Sequence, residues 1–201
     1  MFPKWATLSF EEYRASRIAD RLLKYVNSGD VALDCGCGSM RVARRVGRRS
    51  GATVLGMDVI NLNRTALPMC LCPGERLAFA NESVDVVLLI TVLHHTSNAP
   101  EVLRECWRVA RQKVIVLEDV YAGPAELSLL KVLDWLGNRS TSRDMSLPFT
   151  FRSEAEWKQI FSDLGMALMA VERIRPVPWR PSRHRLFVLD KQSGACQTSL
   201  K

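Results

Sequence analysis

The sequence lacks an apolar run long enough to cross a membrane. Its longest apolar stretch, residues 84–93, is interrupted by Asp85, whereas a membrane-spanning helix needs about 20 apolar residues. Residues 1–24 carry several charges and no apolar segment of the kind found in a secretory leader. We therefore expect a cytoplasmic protein without integral membrane association.

Cysteine is present, but its spacing shows neither a disulfide framework nor a zinc site. The six cysteines include the pairs Cys35-x-Cys37 and Cys70-x-Cys72, whereas structural zinc sites favour Cys-x-x-Cys pairs. Thiols stay reduced in the cytosol, and a chain of 201 residues buries enough surface to fold without cross-links. The sequence accordingly predicts no metal site.

Repeats, low-complexity tracts and linkers are also absent from the sequence. Because nothing divides the chain, we expect a single domain over residues 1–201, with residues 1–28 as an N-terminal helical segment.

Lysine is scarce, although the protein is basic. The chain has 28 lysines and arginines and a net charge of +7, and 21 of the 28 are arginine. The arginines concentrate at residues 41–49 and 173–185. Arginine favours bidentate contacts with phosphate and carboxylate, so nucleic acid is a possible partner. We expect the first cluster to face solvent along a helix.

Strand and helix patterns alternate along the chain, which is typical of an α/β sheet. Helices are predicted at residues 8–26, 39–50 (with Ser39 as its cap), 98–111, 124–136 and 153–165. Strands are predicted at residues 31–35, 53–58, 66–71, 84–91, 113–120, 166–174 and 185–190. We expect a doubly wound, Rossmann-like, mostly parallel seven-stranded sheet with an antiparallel last strand. Ligands of such sheets bind at the carboxyl ends of the strands.

A glycine turn follows the first predicted strand. Asp34 precedes Gly36 and Gly38, whose missing side chains let the backbone approach a ligand closely. The helix that follows offers free N–H groups to an anion. Asp58 ends the second predicted strand, where it can accept from ribose hydroxyls. A dinucleotide fingerprint requires a further glycine where Arg41 stands, so that interpretation fails.

Residues 34–38 (DCGCG) resemble the first motif of class I S-adenosylmethionine-dependent methyltransferases, within the small-molecule branch that includes quinone methyltransferases. The likeness continues in order through residues 56–58 (GMD), 74–79 (GERLAF), 81–87, 92–95, 103–109 and 151–165. It implies S-adenosyl-L-methionine as the cofactor and methyl transfer to a small-molecule acceptor, either lipophilic or anionic.

The resemblance also implies which residues bind the cofactor. They are Asp34, Gly36 and Gly38 for the methionine and ribose, Asp58 with Val59 for the ribose hydroxyls, Gly74 and Glu75 for the adenine, and Ile90 and Thr91 for the amino group. Met40 and Pro73 depart from the family pattern, which favours a third glycine and an aspartate there. These departures predict a compact, weaker cofactor site.

Candidate catalytic residues lie where the fourth and fifth predicted strands end. His94 and His95 are adjacent there, and a neutral imidazole suits proton removal near pH 7. Asp119 ends the fifth strand. We predict His95, His94 and Asp119 as catalytic, and residues 121–152 as an inserted substrate cap whose apolar side chains cover a substrate, touch a membrane or join the core.

Two other interpretations stay open. The protein is an RNA methyltransferase if the arginine-rich surface binds RNA, since Trp179 lies among arginines and such mixtures grip bases by stacking and charge. It is a catalytically eroded, cofactor-binding protein if Met40 and Pro73 have abolished turnover.

Overall fold

A computed structural model describes the backbone of residues 4–138 and 148–191, with the side chains of residues 10–137 and 148–191. Its helices are α1 (Lys4–Leu22), α2 (Arg41–Ser50), α3 (Ala99–Val109), α4 (Pro124–Asn138) and α5 (Glu154–Asp163). Its strands are β1 (Val31–Cys35), β2 (Thr53–Asp58), β3 (Met69–Leu71), β4 (Val84–Ile90), β5 (Ala110–Val120), β6 (Leu168–Ile174) and β7 (Arg183–Asp190).

The seven strands form one sheet in the order β3-β2-β1-β4-β5-β7-β6. Strands β1 to β5 pair in parallel, and β7 runs antiparallel to both β5 and β6. The predicted mostly parallel seven-stranded sheet is therefore confirmed. The chain winds outward in opposite directions from β1 and from β4, so a crevice opens between their carboxyl ends.

The core lies in two layers on the faces of the sheet. Every residue of β4 is buried, as expected for a central parallel strand covered on both sides. Val87 and Leu89 pack with α3 and α5, whereas Val86 and Leu88 pack with α1 and α2. This alternation follows from the two-residue period of a strand.

Helix ends agree only partly with the sequence. The capping box of α5 is confirmed, because Ser153 and Glu156 exchange hydrogen bonds with each other's backbone N–H. The predicted cap of α2 is wrong: its N-cap is Met40, in the left-handed conformation with φ 57°, and no side chain caps the helix.

The first arginine cluster forms the predicted solvated face only in part, because Arg48 and Arg49 are exposed whereas the other three meet acids of α1. Arg44 and Arg45 donate to the carboxylate of Glu12 on α1, at 3.0 and 2.6 Å. Arg41 is only 9% exposed, and its Nε lies 3.1 Å from Glu11. These arginines join α2 to α1, because α1 presents acidic side chains along the line of contact.

Within the described ranges, no helix is long and apolar enough to span a bilayer.

Candidate functional site

A cavity of about 500 Å³ opens at the carboxyl ends of β1, β2 and β4. Its wall contains every residue that the sequence assigned to the cofactor: Asp34, Gly36, Gly38, Asp58, Val59, Gly74, Glu75, Ile90 and Thr91. The strand ends bring these residues together although they span 57 positions of the chain. Their individual contacts with a cofactor stay predictions.

Gly36 is required by both conformation and space. Its φ is 74°, and a Cβ added there would lie 2.2 Å from Cγ2 of Val92. At the cavity wall, the backbone of residue 36 therefore lies closer to the side chain of Val92 than a residue with a Cβ would permit. Gly38 also has a positive φ of 48° but has open space around it.

Asp34 is a buried carboxylate that its surroundings leave unsatisfied. It is 2% exposed, and its Oδ1 has no hydrogen-bond partner. Burial, and then the nearby carboxylate of Asp58, raise the pKa of Asp34 to about 7. Because an unpaired buried polar group is costly, a cationic or hydrogen-bond-donating ligand in the cavity would stabilise this side chain. The cradle thus fits a cofactor that carries an ammonium and ribose hydroxyls.

Asp58 is held by the two loops that meet at the cavity. Its Oδ2 accepts from the N–H of Gly38 at 2.8 Å, and its Oδ1 accepts from the N–H of Val59 at 2.7 Å. A carboxylate has about four lone-pair positions, so Asp58 keeps capacity to accept from ribose hydroxyls while its orientation is fixed.

Met40 leaves the cavity wall unchanged. Its side chain is fully buried and turns toward β2, where a Cβ on Gly56 would lie 2.4 Å from its Cε. Met40 therefore keeps the left-handed backbone where the family usually has glycine, and it places its bulk in the core. Pro73 is likewise not among the residues that line the cavity, unlike its neighbours Cys72 and Gly74.

Glu118 organises the segment that follows β4. It is fully buried, and its Oε1 accepts from the N–H groups of Val92 and Leu93 at 3.0 and 2.7 Å. Its Oε2 lies 2.6 Å from Nδ1 of His94. The predicted catalytic residues did not include Glu118, although an acid inside the apolar run of β5 was the available signal.

The two adjacent histidines have opposite protonation. Burial would lower the pKa of His94, but Glu118 and Asp134 outweigh it and raise the pKa to about 10. Burial, and then the neighbouring charge of His94, lower the pKa of His95 to about 4. His95 lines the cavity, whereas His94 lies behind it, 2% exposed and stacked on Phe151 with 4.5 Å between ring centroids.

Asp119 is not brought to the cavity wall. It pairs with His184 across β5 and β7, and its Oδ1 lies 3.2 Å from Nε2 of that histidine. Since successive residues of a strand point to opposite faces, Asp119 points away from Glu118 and from the two adjacent histidines.

Arg14 lines the cavity although no sequence motif indicated it. Its Nη2 donates to Oγ1 of Thr91 at 3.0 Å, and Thr91 itself has a positive φ of 54°. Only the packing of α1 on the sheet joins residues that are 77 positions apart.

The second arginine cluster is partly neutralised. Arg183 donates to Glu126 at 2.9 Å and Arg185 to Glu154 at 2.5 Å. The remaining arginines of the cluster line a separate hollow of about 320 Å³ beside Trp179; they are Arg173, Arg175 and Arg180.

Part of the chain is similar to a known protein family. Residues 33–117 match the family model described as a methyltransferase domain. Among curated proteins, none matches the sequence significantly.

Solved structures share the fold over most of the chain. One is the Burkholderia thailandensis 1,6-didemethyltoxoflavin-N1-methyltransferase, with TM-score 0.68, 16% identity, and coverage of 88% of this chain and 77% of that one. Another is a methyltransferase from Aquifex aeolicus, with TM-score 0.61, 16% identity, and coverage of 86% and 88%. A third is the methyltransferase in a complex with the Haloferax volcanii Trm112 activator, with TM-score 0.70, 18% identity, and coverage of 90% of each chain.

The match to a methyltransferase domain is confined to residues 33–117, less than half of the chain, and the similar solved structures share its fold. The predicted fold is thereby confirmed. The matched segment also agrees with the predicted enzyme class and cofactor. The predicted division of the chain, including a cap over residues 121–152, stays a prediction, and residues 139–147 of that cap lie outside the described residues.

Proposed function

We propose that this protein transfers a methyl group from S-adenosyl-L-methionine to a small, anionic acceptor. The observation that carries the proposal is the cavity wall on which the predicted cofactor residues meet His95 and Arg14. Its volume of about 500 Å³ lies in the usual range of small-molecule sites, about 300–1,000 Å³.

The separate roles of the cofactor and of the protein's side chains follow from the residues that line the cavity. The cofactor supplies the electrophilic methyl group, so the chain needs to hold the acceptor in line with it, an effect that can be worth several kcal/mol. Asp34 and Asp58 anchor the polar groups on one side of the cavity. Arg14 and His95 line the same cavity and are not among the predicted cofactor residues, so they are available to contact the acceptor.

Charge favours an anionic acceptor. Arg14 is the arginine of α1 that lines the cavity, and guanidinium groups bind carboxylate or phosphate. The B. thailandensis enzyme of similar fold was solved with the small molecule 1,6-didemethyltoxoflavin and S-adenosylhomocysteine, which supports a small-molecule acceptor.

Neither histidine is well matched to the task of a general base, which works best with a pKa near the working pH. His94, with a pKa of about 10, is already protonated at neutral pH. His95, with a pKa of about 4, retains a proton only weakly. We infer that His95 positions the acceptor by hydrogen bonding.

Cofactor binding tests the first half of the proposal. Calorimetry with S-adenosylhomocysteine should show one site, and Asp58→Ala should abolish binding because the ribose acceptor and the tether of Gly38 are both lost. Asp163→Ala, an exposed carboxylate at the end of α5, is the matched control and should bind normally. Absence of binding by the wild-type protein would refute the proposal.

The acceptor class is tested with cofactor carrying a labelled methyl group. Cell extract is divided into a small-molecule fraction and an RNA fraction, and each is incubated with the purified protein. Label should appear in the small-molecule fraction, and Arg14→Gln should reduce it by about tenfold or more, the effect of losing a charged contact of about 1.5–3 kcal/mol. Label in RNA would establish the RNA alternative, and bound cofactor without any labelled product would establish the eroded one.

A further inference from the structure

Three side chains able to bind a metal converge beside the cavity. Nε2 of His94 and Nε2 of His95 each lie 3.6 Å from Oδ1 of Asp134, and the three ligand atoms all lie within 4.8 Å of one another. Zn²⁺ bonds of about 2.0–2.1 Å in a tetrahedron separate ligand atoms by roughly 3.4 Å. Small side-chain rotations would bring all three atoms to that separation.

The surroundings orient these ligands. Nδ1 of His94 lies 2.6 Å from Oε2 of the buried Glu118, and metal-bound histidines usually donate their second ring N–H to such a carboxylate. Glu118 is fixed by two backbone N–H groups of the same segment. The ring of Phe151 stacks on the ring of His94, and the two planes differ by 17°. The imidazole is thus held with Nε2 directed at Asp134.

Burial and charge suit a divalent cation. His94 is 2% exposed, and Asp134 and His95 have side-chain exposures of 15% and 17%. Glu118 is fully buried and Asp134 is partly buried, and both place negative charge beside the histidines. A divalent cation at this position would be attracted by both carboxylates.

We propose that His94, His95 and Asp134 bind one divalent transition-metal ion, with Zn²⁺ as the ion that two imidazoles and a carboxylate suit. Sequence reasoning had predicted no metal, because it searched cysteine spacing and could not see that α4 places Asp134 beside the histidine pair. His95 also lines the cavity, so an ion at this site would lie beside the space that an acceptor would occupy.

This position gives the ion a role that rests on the proposed function. An acceptor hydroxyl or thiol bound to a Zn²⁺ ion loses its proton to water far more readily, since the ion stabilises the anion. The acceptor atom then forms a bond to the methyl carbon while the bond between that carbon and the cofactor sulfur breaks. The sulfur keeps the electron pair and becomes a neutral thioether, so the charges of anion and sulfonium cancel.

Cobalt(II) is a suitable probe because its visible absorption reports coordination. Protein stripped of metal with a chelator and titrated with CoCl₂ should bind one ion and develop the intense visible bands of four-coordinate cobalt. Asp134→Asn should weaken binding at least tenfold, and His95→Gln should do the same. Asp163→Asn is the matched control, an exposed aspartate on α5, and should bind cobalt as the wild type does.

The outcomes separate this proposal from the proposed function. The weak absorption of solvated cobalt in the wild type, or unchanged binding in Asp134→Asn, would overturn the metal site and would mean that a proton on His94 compensates the carboxylates instead. Binding of S-adenosylhomocysteine, measured on the same samples, should persist without metal and in Asp134→Asn. If Asp134→Asn does not fold, paramagnetically shifted imidazole proton signals in cobalt-loaded wild type decide the question, because only metal-bound histidines show them.

Discussion

Several residues at or near the cavity adopt an environment or a backbone conformation that costs free energy. Asp34 is buried without a partner for Oδ1, and Thr91 and Met40 hold left-handed backbone conformations that disfavour residues other than glycine. Strain and unsatisfied polar groups of this kind concentrate at functional sites, where a ligand compensates them. Asp34 and Thr91 line the cavity, which agrees with that rule.

Replacing Asp34 with Asn should stabilise the protein at alkaline pH. The folded-state pKa of about 7 exceeds the ordinary value of 3.8, so the folded state holds a proton that the unfolded state releases, and stability is lost as pH rises from about 4 to 7. By pH 8 the cost reaches at most about 4 kcal/mol, at 1.36 kcal/mol per pKa unit. Asp34→Asn removes this cost.

Urea unfolding of wild type and Asp34→Asn at pH 4 and pH 8 checks the prediction. The variant should gain free energy of unfolding at pH 8 and almost none at pH 4. Its affinity for S-adenosylhomocysteine should fall, because an amide lacks the charge that attracts the ammonium. An equal gain at both pH values would contradict the assigned cause.

Replacing Glu118, in contrast to replacing Asp34, should lower the free energy of unfolding. Glu118→Ala leaves the N–H groups of Val92 and Leu93 without their acceptor and His94 without its carboxylate. Breaking a buried charge pair by deleting one partner costs about 3–5 kcal/mol. Thermal unfolding should show a large loss of stability. Glu101→Ala removes only a partly exposed ion pair with Arg104 on α3 and should change stability by about 1 kcal/mol or less.

At the scale of elements, the helices on one face of the sheet are joined by charge. The arginines on α2 and the acids on α1 meet in a network around Glu12, which lies within 4.0 Å of Arg41, Arg44 and Arg45. The sequence interpretation treated these arginines as a solvated face, because the acids that meet them lie about 30 positions earlier. Helix packing decided the partners.

Glu12→Gln should weaken this junction measurably but modestly. Partly exposed ion pairs contribute about 1 kcal/mol or less each, and salt screens them. We therefore expect the variant to lose about 1–2 kcal/mol of unfolding free energy at low salt. The difference should shrink at 1 M NaCl, and a loss that salt leaves unchanged would point to packing as its source.

At the scale of the whole molecule, arginine dominates the cations that give the net charge of +7. Many of these arginines form ion pairs or hydrogen bonds within the protein. The first cluster binds α1, and two members of the second bind Glu126 and Glu154. A protein that neutralises many phosphates shows a steep dependence of affinity on salt. The distribution of charge therefore favours a small acceptor over RNA.

Filter binding with single-stranded RNA tests this distribution. We expect weak retention that disappears near 0.15 M salt, with a slope of log affinity against log salt below about 2, which corresponds to only two or three phosphate contacts at roughly 0.7 per contact. Arg173→Gln should lower that slope slightly. Retention that persists at 0.15 M with a steep slope would support the RNA alternative.

The strands and many residues of the cavity wall could be predicted because local sequence patterns encode both. Apolar runs specify buried strands, and parallel strands bring their carboxyl ends to one edge, so Asp34 and Asp58 had to meet. The predictions failed where a partner is distant in sequence. Arg14, Glu118 and Asp134 act on residues 24 to 77 positions away, and no local pattern encodes those contacts.

The sequence by itself therefore determined the class of fold, the edge of the sheet where the cavity opens, and a set of residues that line it, since each follows from periodicity and short motifs. The tertiary structure alone decided which charges pair and which histidine reaches the cavity. It also decided that Asp134 joins the histidine pair. The physical reason is that burial and electrostatic pairing depend on distances across packed elements, and those distances exist only once α1 and α4 have docked.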